Sequence, residues 1–419
     1  MAQIVHSIKG TRDFYPNEMV RRQWLIGKAR QASQLFGYEH YDGPCLETLE
    51  LYAAKSGEEL VKEQAFVFPD RGGDPVTLRP ELTPTLARMV AQKQNELVYP
   101  LRWWSFGPFW RYERPQKGRT REFFQWNIDL IGDNSLMADA ELIAVAANFF
   151  RLVGLGSEVV KVKVNNRHLM EDVFEQLAIS KDISPAVLKL IDRLDKLPLP
   201  IWEEKALELG ISQSQLRQIK SVLEDEALWK QSGELTELFR LLESLGVSDY
   251  VVYDPKIIRG LDYYTGTVFE AHDVKGEFRA ILGGGHYANL VADVGGNPLP
   301  GVGFAMGDVV INLVLEAYGL YPSQLSQKEA VFVTVFNEDL KAKSLEVASQ
   351  LRQAGINVVL SLTEDKLAKQ LKYADRLNLT KALVIGPDEE ASGKVIVKDL
   401  LTRDQQSIDQ AELIAFFKC

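Results

Sequence analysis

Cysteine is nearly absent. The 419 residues hold two, Cys45 and Cys419, which offer neither a disulfide framework nor a clustered metal site. No apolar run reaches the roughly 20 residues needed to cross a bilayer, and the opening MAQIVHSIKGTRD lacks the apolar core of a signal peptide. A cytoplasmic protein with no membrane partner is the expectation. A surplus of positive charge is missing too. Lys and Arg number 48 against 58 Asp and Glu, for a net charge of −10, which argues against a general nucleic-acid coat but leaves room for a local basic track. What remains is an ordinary globular composition, 46% hydrophobic and 25% charged. Its length suits two or three domains and a large core.

The most informative stretch is 105–132, where two strand-like runs flank a charged loop, RPQKGRTR, at 114–121. In the second run Phe124, Trp126, Ile128 and Leu130 form one apolar set. Arg121, Phe123, Gln125, Asn127 and Asp129 fall on the other face. A strand that buries one face and lines a pocket with the other alternates in this way. Arg111 and Glu113 share a face of the incoming strand. Pattern alone fits two arrangements. One is a hairpin with a salt-bridged polar face; the other is a polyanion site where Arg111, Lys117 and Arg119 meet phosphate oxygens.

Toward the N-terminus, KGTRD at 9–13 precedes a helix over 17–36, on which Leu25, Ala29, Ala32 and Phe36 keep helical spacing before Gly37 stops it. A strand over 38–46 follows, and Pro44 assigns it to an edge or an interface. In TLRPELTP, residues 77–84, Pro80 breaks a strand and Thr83 or Thr85 caps a helix running through Ala87 and Val90. Read locally, Glu81 is a first-turn acid favoured by the helix dipole. A buried helix over 139–155 and a strand over 159–164 come next. From about 167 to 245 the chain turns to helical stretches rich in Leu, Glu and Lys without glycine motifs, as an inserted helical module would.

A second dense signal is IRGLDYYTGTVFEA at 258–271. Arg259 sits before Gly260, where the backbone can approach a ligand, and Tyr263 and Tyr264 point to opposite faces of a strand. Taken alone this is also an aromatic strand with a solvated arginine. After a proline-bearing linker at 318–326, strands at 331–336, 356–360, 382–385 and 395–397 alternate with helices, which indicates a small α/β domain with a largely parallel sheet. Residues 328–419 carry 13 Lys/Arg and 14 Asp/Glu, nearly neutral within an acidic chain. There Lys366, Lys369, Lys372 and Arg376 share one side of a helix whose Leu367, Leu371 and Ala374 face inward.

RYERPQKGRTREFFQ, residues 111–125, resembles motif 2 of the class II aminoacyl-tRNA synthetases, and RGLDYYTGTVFE, residues 259–270, resembles the signature of the histidyl-tRNA synthetases. KGTRD is similar to that family's opening, and 17–46 to motif 1, which builds a dimer interface. LRQAGINVVLSL and KQLKYADRL, at 351–362 and 369–377, are similar to the class II anticodon-binding domain. The resemblance runs along essentially the whole chain. It implies an α+β fold with an antiparallel sheet and flanking helices. The implied catalytic domain spans 1–166 and 246–320, the helical insertion 167–245, and the C-terminal α/β anticodon-binding domain 328–419.

The resemblance further implies a homodimer that activates L-histidine with ATP and transfers it to the 3′ end of the histidine tRNA. ATP–Mg2+ is then a substrate, with no tightly bound cofactor and no identified metal ligands. By the same resemblance Arg111 and Arg259 are catalytic and bracket the α-phosphate, Arg259 supplying charge that a metal often provides. Glu81, with Leu82 and Thr83, receives the substrate ammonium, and Gln125 helps hold it. Asp129 accepts from the imidazole and Tyr264 donates to it, with Tyr263, Arg111 and Arg259 completing the histidine site. Glu113 takes the adenine amino group, Phe123 stacks on the ring and Arg119 meets the terminal phosphates. Arg114, Gln116, Lys366 and Lys369 face tRNA.

Two departures stand out. His286 in GGGHY replaces an arginine, with Ala288 and Asn289 following where an aspartate is usual. Val310 stands where motif 3, which starts at GFAMG (303–307), brings an arginine to ATP. A loop lysine or Arg119 is the expected substitute. The alternative is a non-catalytic paralogue, such as the regulatory subunit of ATP phosphoribosyltransferase, or a module that senses uncharged tRNA. The intact signature and the C-terminal domain argue against the paralogue.

Overall fold

The computed structural model describes residues 4–55, 60–259, 264–326 and 328–418. They form two compact units, one of residues 1–15 with 22–320 and one of 16–21 with 321–419.

The first unit is built on an eight-stranded sheet. In chain order its elements begin with α1 (Pro16–Leu35, of which 22–35 belong to this unit), β1 (Glu39–His40), β2 (Leu46–Thr48), α2 (Leu49–Lys55), β3 (Phe66–Pro69), β4 (Pro75–Leu78) and α3 (Thr83–Lys93). The long hairpin β5 (Leu101–Trp110) and β6 (Glu122–Ile131) follows, then α4 (Leu136–Leu152) and β7 (Val160–Asn166). Five helices intervene: α5 (Arg167–Gln176), α6 (Ser184–Ile191), α7 (Leu199–Glu208), α8 (Gln213–Leu223) and α9 (Gly233–Ser244). The chain returns through β8 (Val251–Tyr253), β9 (Thr267–Asp273), β10 (Leu282–Tyr287), β11 (Gly301–Gly307) and α10 (Asp308–Ala317).

The sheet order is β1-β5-β6-β11-β10-β9-β7-β8. Six strands, β5 to β7 in that order, pair antiparallel, and each edge carries one short parallel strand. Burial of the apolar set on β6 explains the register. Trp126 packs edge-on against Phe304 of β11 and beside Phe149 of α4, and its indole nitrogen donates to Ser33 of α1. The face carrying Trp126 and Ile128 is thus sealed under α1 and α4, and a one-residue slip would expose it.

The opening segment is tied down by backbone bonds. The carbonyl of Gly10 accepts from the amides of Arg121 and Glu122, at 2.8 and 3.1 Å. Arg12 reaches Asp308 at 2.9 Å, and the other carboxylate oxygen of Asp308 accepts from the amide of Phe124 at 2.9 Å.

Three local expectations are corrected. The strand expected over 38–46 is two short pieces, β1 and β2, because Pro44 cannot donate to a ladder. No threonine caps α3. Its N-cap is Leu82, with Pro84 pre-setting the first turn, while the Thr85 hydroxyl donates to Glu47 at 3.1 Å. The polar face of β6 is also less open than expected, since Asn127 and Asp129 are both buried.

The second unit holds β12 (Lys328–Val333), α11 (Lys341–Gln353), β13 (Val358–Leu360), α12 (Leu367–Arg376) and β14 (Leu379–Val384). It ends with α13 (Pro387–Ser392), β15 (Lys394–Asp399), β16 (Gln405–Asp409) and α14 (Leu413–Lys418). Its sheet, β13-β12-β14-β15-β16, is half parallel rather than largely so: β14–β15 and β15–β16 pair antiparallel. The polar sequence of β16 hid that strand. On α12 Leu367 and Leu371 are only half-buried, and the inward position is taken by Gln370, which exchanges hydrogen bonds with the backbone of Val335 at 3.0 and 2.7 Å.

Candidate active site

Cross-strand register sets out the site. Asp129 on β6 lies opposite Gly303 on β11, which lies opposite Gly285 on β10. Two residues along, Asn127, Ala305, Gly283 and Glu270 form a parallel row across four strands. Partners in a row share a face, so this face has acids and amides on β6, a charged wall on β9, and a floor of glycine and alanine between. The floor has a steric cause. A Cβ on Gly303 would sit 2.2 Å from Asp129 Oδ1, one on Gly285 2.8 Å from the Tyr264 ring, and one on Gly283 2.1 Å from Arg259 Nη1. Only glycine lets those three side chains lie across the sheet.

Asp129 is 8% exposed and accepts from the Tyr287 hydroxyl at 3.0 Å. Burial pushes its carboxyl up to about 7, against the lowering pull of that bond. Tyr287 is in turn raised well above the ordinary phenol, by burial first and by Asp129 next. Tyr264 is buried on the same face. Asn127 leaves its side-chain N–H groups without a hydrogen-bond partner among the described residues, which is costly in a buried place unless a ligand completes it.

The other wall is centred on Glu270. One of its oxygens meets Arg259 Nη1 at 2.6 Å and the other meets His272 Nε2 at 2.9 Å. Burial alone would raise the Glu270 carboxyl, but Arg259 and His272 outweigh it and hold it at about 2. Arg259 has φ +60°, the left-handed region that non-glycine residues occupy at a cost. Its guanidinium carbon lies 5.9 Å from the Tyr264 ring centroid. Tyr263, the remaining member of the implied histidine set, lies outside the described residues.

On the β5–β6 side, Arg111 donates from Nε to the carbonyl of Pro80 at 2.9 Å and lies 5.4 Å from the Phe123 ring, which itself stacks on Phe109. Arg111 therefore links the hairpin to the TLRPE segment. In that segment Glu81 and Leu82 are buried, and Thr83 opens α3. Glu113 pairs with Arg119 at 3.0 Å. Those two, expected to hold opposite ends of a nucleotide, here satisfy each other, as oppositely charged groups do without a ligand. Gln125 is half-buried on the Asp129 face, and Arg114 and Gln116 are exposed on the loop. Lys366 and Lys369 belong to the second unit, where Lys369 pairs with Asp365 at 2.9 Å.

The two departures separate cleanly. His286 lies on the reverse face of β10, packed against α4, with Nδ1 2.7 Å from Asp139 and Nε2 2.8 Å from Asn134. It does not face the glycine floor. Val310, on α10, borders a cleft with Lys117 and Gly118 of the loop. Among the described residues no group of three His, Cys, Asp or Glu could hold a metal ion.

Sequence reasoning put Asn127 on the right face but gave it no role, and it missed Tyr287, Glu270 and the fully buried Arg79. Arg79 bonds Asp42, Gly43 and Pro108 at 2.8 to 2.9 Å and so fixes the segment bearing Glu81. For Glu270 a signal existed: it has the parity of Val268 on a strand whose neighbour is glycine. For Arg79 there was none, because its partners are dispersed.

The profile of the histidyl-tRNA synthetase family matches residues 10–308, and that of an anticodon binding domain matches 330–419. The chain is similar to a chloroplastic/mitochondrial histidine–tRNA ligase of Arabidopsis thaliana, at 38% identity over 419 residues, covering 98% of this chain and 86% of that one. It is equally similar, at 38% over 428 residues and 98% of each chain, to a histidine–tRNA ligase of Opitutus terrae. The crystal structure of a histidyl-tRNA synthetase from a Nostoc species superposes with a TM-score of 0.85, at 26% identity, covering 100% of this chain and 99% of that one.

Proposed function

The chain belongs to the histidyl-tRNA synthetase family, and from that premise we propose that it is a histidine–tRNA ligase. It activates L-histidine with ATP, releasing diphosphate, and passes the histidyl group to the 3′ end of its tRNA. One arrangement supports this most strongly: Asp129 and Tyr264 lie over the facing glycines Gly303 and Gly285, with Arg259 alongside.

An imidazole has one N–H donor and one acceptor nitrogen. Asp129 takes the first and the Tyr264 hydroxyl serves the second. An apolar isostere would leave both unsatisfied, which selects strongly for histidine. Glu81, with Leu82 and Thr83, receives the ammonium, and Gln125 and the unpartnered amide of Asn127 fill the remaining positions. The carboxylate attacks the α-phosphorus in line, and positioning with cations does most of the work. Arg111 and Arg259 flank that phosphate. ATP arrives as its magnesium complex, the ion carried on the phosphates.

Glu113 must leave Arg119 to meet the adenine amino group, while Phe123 supports the ring and Arg119 turns to the phosphates. Residues 1–166 and 246–320 do this chemistry. The insertion 167–245 and the domain 328–419 address tRNA, with Arg114, Gln116, Lys366 and Lys369 as contacts. A homodimer is supported by Leu46, Val67 and Phe68, all exposed on the small β2-β4-β3 sheet. The reading places the enzyme in the cytoplasm, where its tRNA is charged.

Histidine-dependent ATP–diphosphate exchange, followed by charging of histidine tRNA, tests the whole. Failure of both with a folded protein favours the non-catalytic paralogue.

A further inference from the structure

Val310 brings no charge to the mouth of the site, yet the cleft it borders carries two cations, Lys117 and Arg279, beside one acid, Glu277. Lys117 and Gly118 of the β5–β6 loop, and Phe278 and Arg279 of the β9–β10 connection, border the same cleft. A Cβ placed on Gly118 would lie 3.4 Å from Arg279 Cδ and 3.7 Å from Val310 Cγ2. The arginine stem and the valine therefore approach one point of the loop from two directions. Lys117 Nζ lies 5.4 Å from the Phe278 ring, which joins the loop to the connection.

The electrostatics are unusual. Arg279 is exposed at the cleft; partial desolvation and the nearby Arg119 hold its guanidinium below its ordinary value, and Glu113 and Glu270 act the other way. Both of those acids are engaged elsewhere, Glu113 with Arg119 and Glu270 with Arg259, at 3.0 and 2.6 Å. Glu277 borders the cleft without pairing with Arg279. Among the described residues Arg279 has no ion-pair or hydrogen-bond partner of its own. Lys117 and Arg279 against the single acid Glu277 leave a surplus of positive charge in the cleft, a place for a polyanion.

We propose that Arg279, with Arg119, grips the terminal phosphates of ATP, supplying from the β9–β10 connection the guanidinium that position 310 lacks. This rests on the reading of the chain as a histidine–tRNA ligase and locates the phosphate end of its nucleotide. Glu113 exchanges Arg119 for adenine, Arg119 swings to the phosphates, and Arg279 is already there.

The test is steady-state ATP–diphosphate exchange by the full chain carrying Arg279→Ala, Arg279→Lys, and Arg279→Ala combined with Val310→Arg. Losing one charge-assisted phosphate contact is expected to raise KM for ATP about tenfold or more, while KM for histidine stays within about twofold. Arg279→Lys keeps part of the affinity, and Val310→Arg restores it in the alanine background. A non-hydrolysable histidyl-adenylate analogue, which has no terminal phosphates, binds Arg279→Ala as it binds wild type. An unchanged KM for ATP overturns the proposal. So does a parallel rise for both substrates with a lowered melting temperature, which would mark a structural role. Absence of exchange in the wild type would instead overturn the functional reading, and this inference with it.

Discussion

Arg167 donates from Nη2 to the backbone carbonyl of Arg259 at 2.7 Å, and from Nη1 to that of Tyr264 at 2.7 Å. The first residue of α5 thus holds the backbone at the first and sixth residues of the signature. The left-handed backbone at Arg259 costs on the order of 1 kcal/mol and persists because this fork closes on it.

Arg167→Ala is expected to lower the exchange rate about tenfold or more, since misplacing a catalytic group by about 1 Å costs up to a hundredfold. Stability should change by less than about 2 kcal/mol. Arg167→Lys cannot reproduce the two-pronged contact and should not rescue the rate. Exchange kinetics beside a thermal melt check this; a rate within twofold of wild type refutes it.

Asp129 gives a pH signature. An acid held near 7 in the folded chain, against 3.8 ordinarily, stabilises fully only while protonated. That contribution is present below about pH 4, shrinks as pH rises toward 7 and is absent above it. Asp129→Asn keeps an acceptor for Tyr287 and cannot ionise. It should therefore be the more stable protein above pH 7, by up to about 4 kcal/mol, and converge with wild type near pH 4. Histidine activation should be lost at every pH. Parallel melting curves across that range would contradict the assignment.

His286 supports the reverse face. Removing it leaves Asp139, 2% exposed, as a buried carboxylate whose imidazole partner is gone. His286→Ala should cost about 3–5 kcal/mol in denaturant unfolding. Assayed at a temperature where the variant is folded, KM for ATP and for histidine should stay close to wild type, because the imidazole does not face the floor. A loss below about 1 kcal/mol, or a selective rise in KM for ATP, goes against this.

At the start of α12, its N-cap residue Lys366 is exposed, while Lys369 within the helix is committed to Asp365. If this helix follows the tRNA backbone, Lys366→Ala lowers the slope of log affinity against log salt by about 1. Lys369→Ala lowers it less, because Asp365 already competes for that ammonium. Equal slopes for all three proteins, measured by tRNA titration at several salt concentrations, would remove this helix from the interface.

The parts legible in the sequence were those written in one stretch. Phe124, Trp126 and Ile128 announced the buried face of β6, and the same alternation put Gln125 and Asp129 together on the other face. The loop of arginines and the signature were local in the same sense. What stayed hidden depends on chain meeting chain. His286 and Asp139 are separated by 147 positions, so nothing near either discloses the other. Arg279 sits in an irregular strand connection of ordinary composition, and only the neighbouring Gly118 and Val310 show what it faces. Gln370 occupies a helix position that spacing alone would give to an apolar residue. It is inward because the end of a strand, at Val335, needs both a donor and an acceptor.

The join between Arg12 and Asp308 spans 296 positions. A ribosome that has just made the opening segment must synthesise most of the first unit before the acid that anchors it emerges. Until then KGTRD is held only through Gly10, on the amides of Arg121 and Glu122, while Arg12 has no Asp308 to meet and the amide of Phe124 lacks its carboxylate acceptor. Assembly of this enzyme during translation therefore finishes where it started, and an arrest ahead of codon 308 leaves that seam open to proteases.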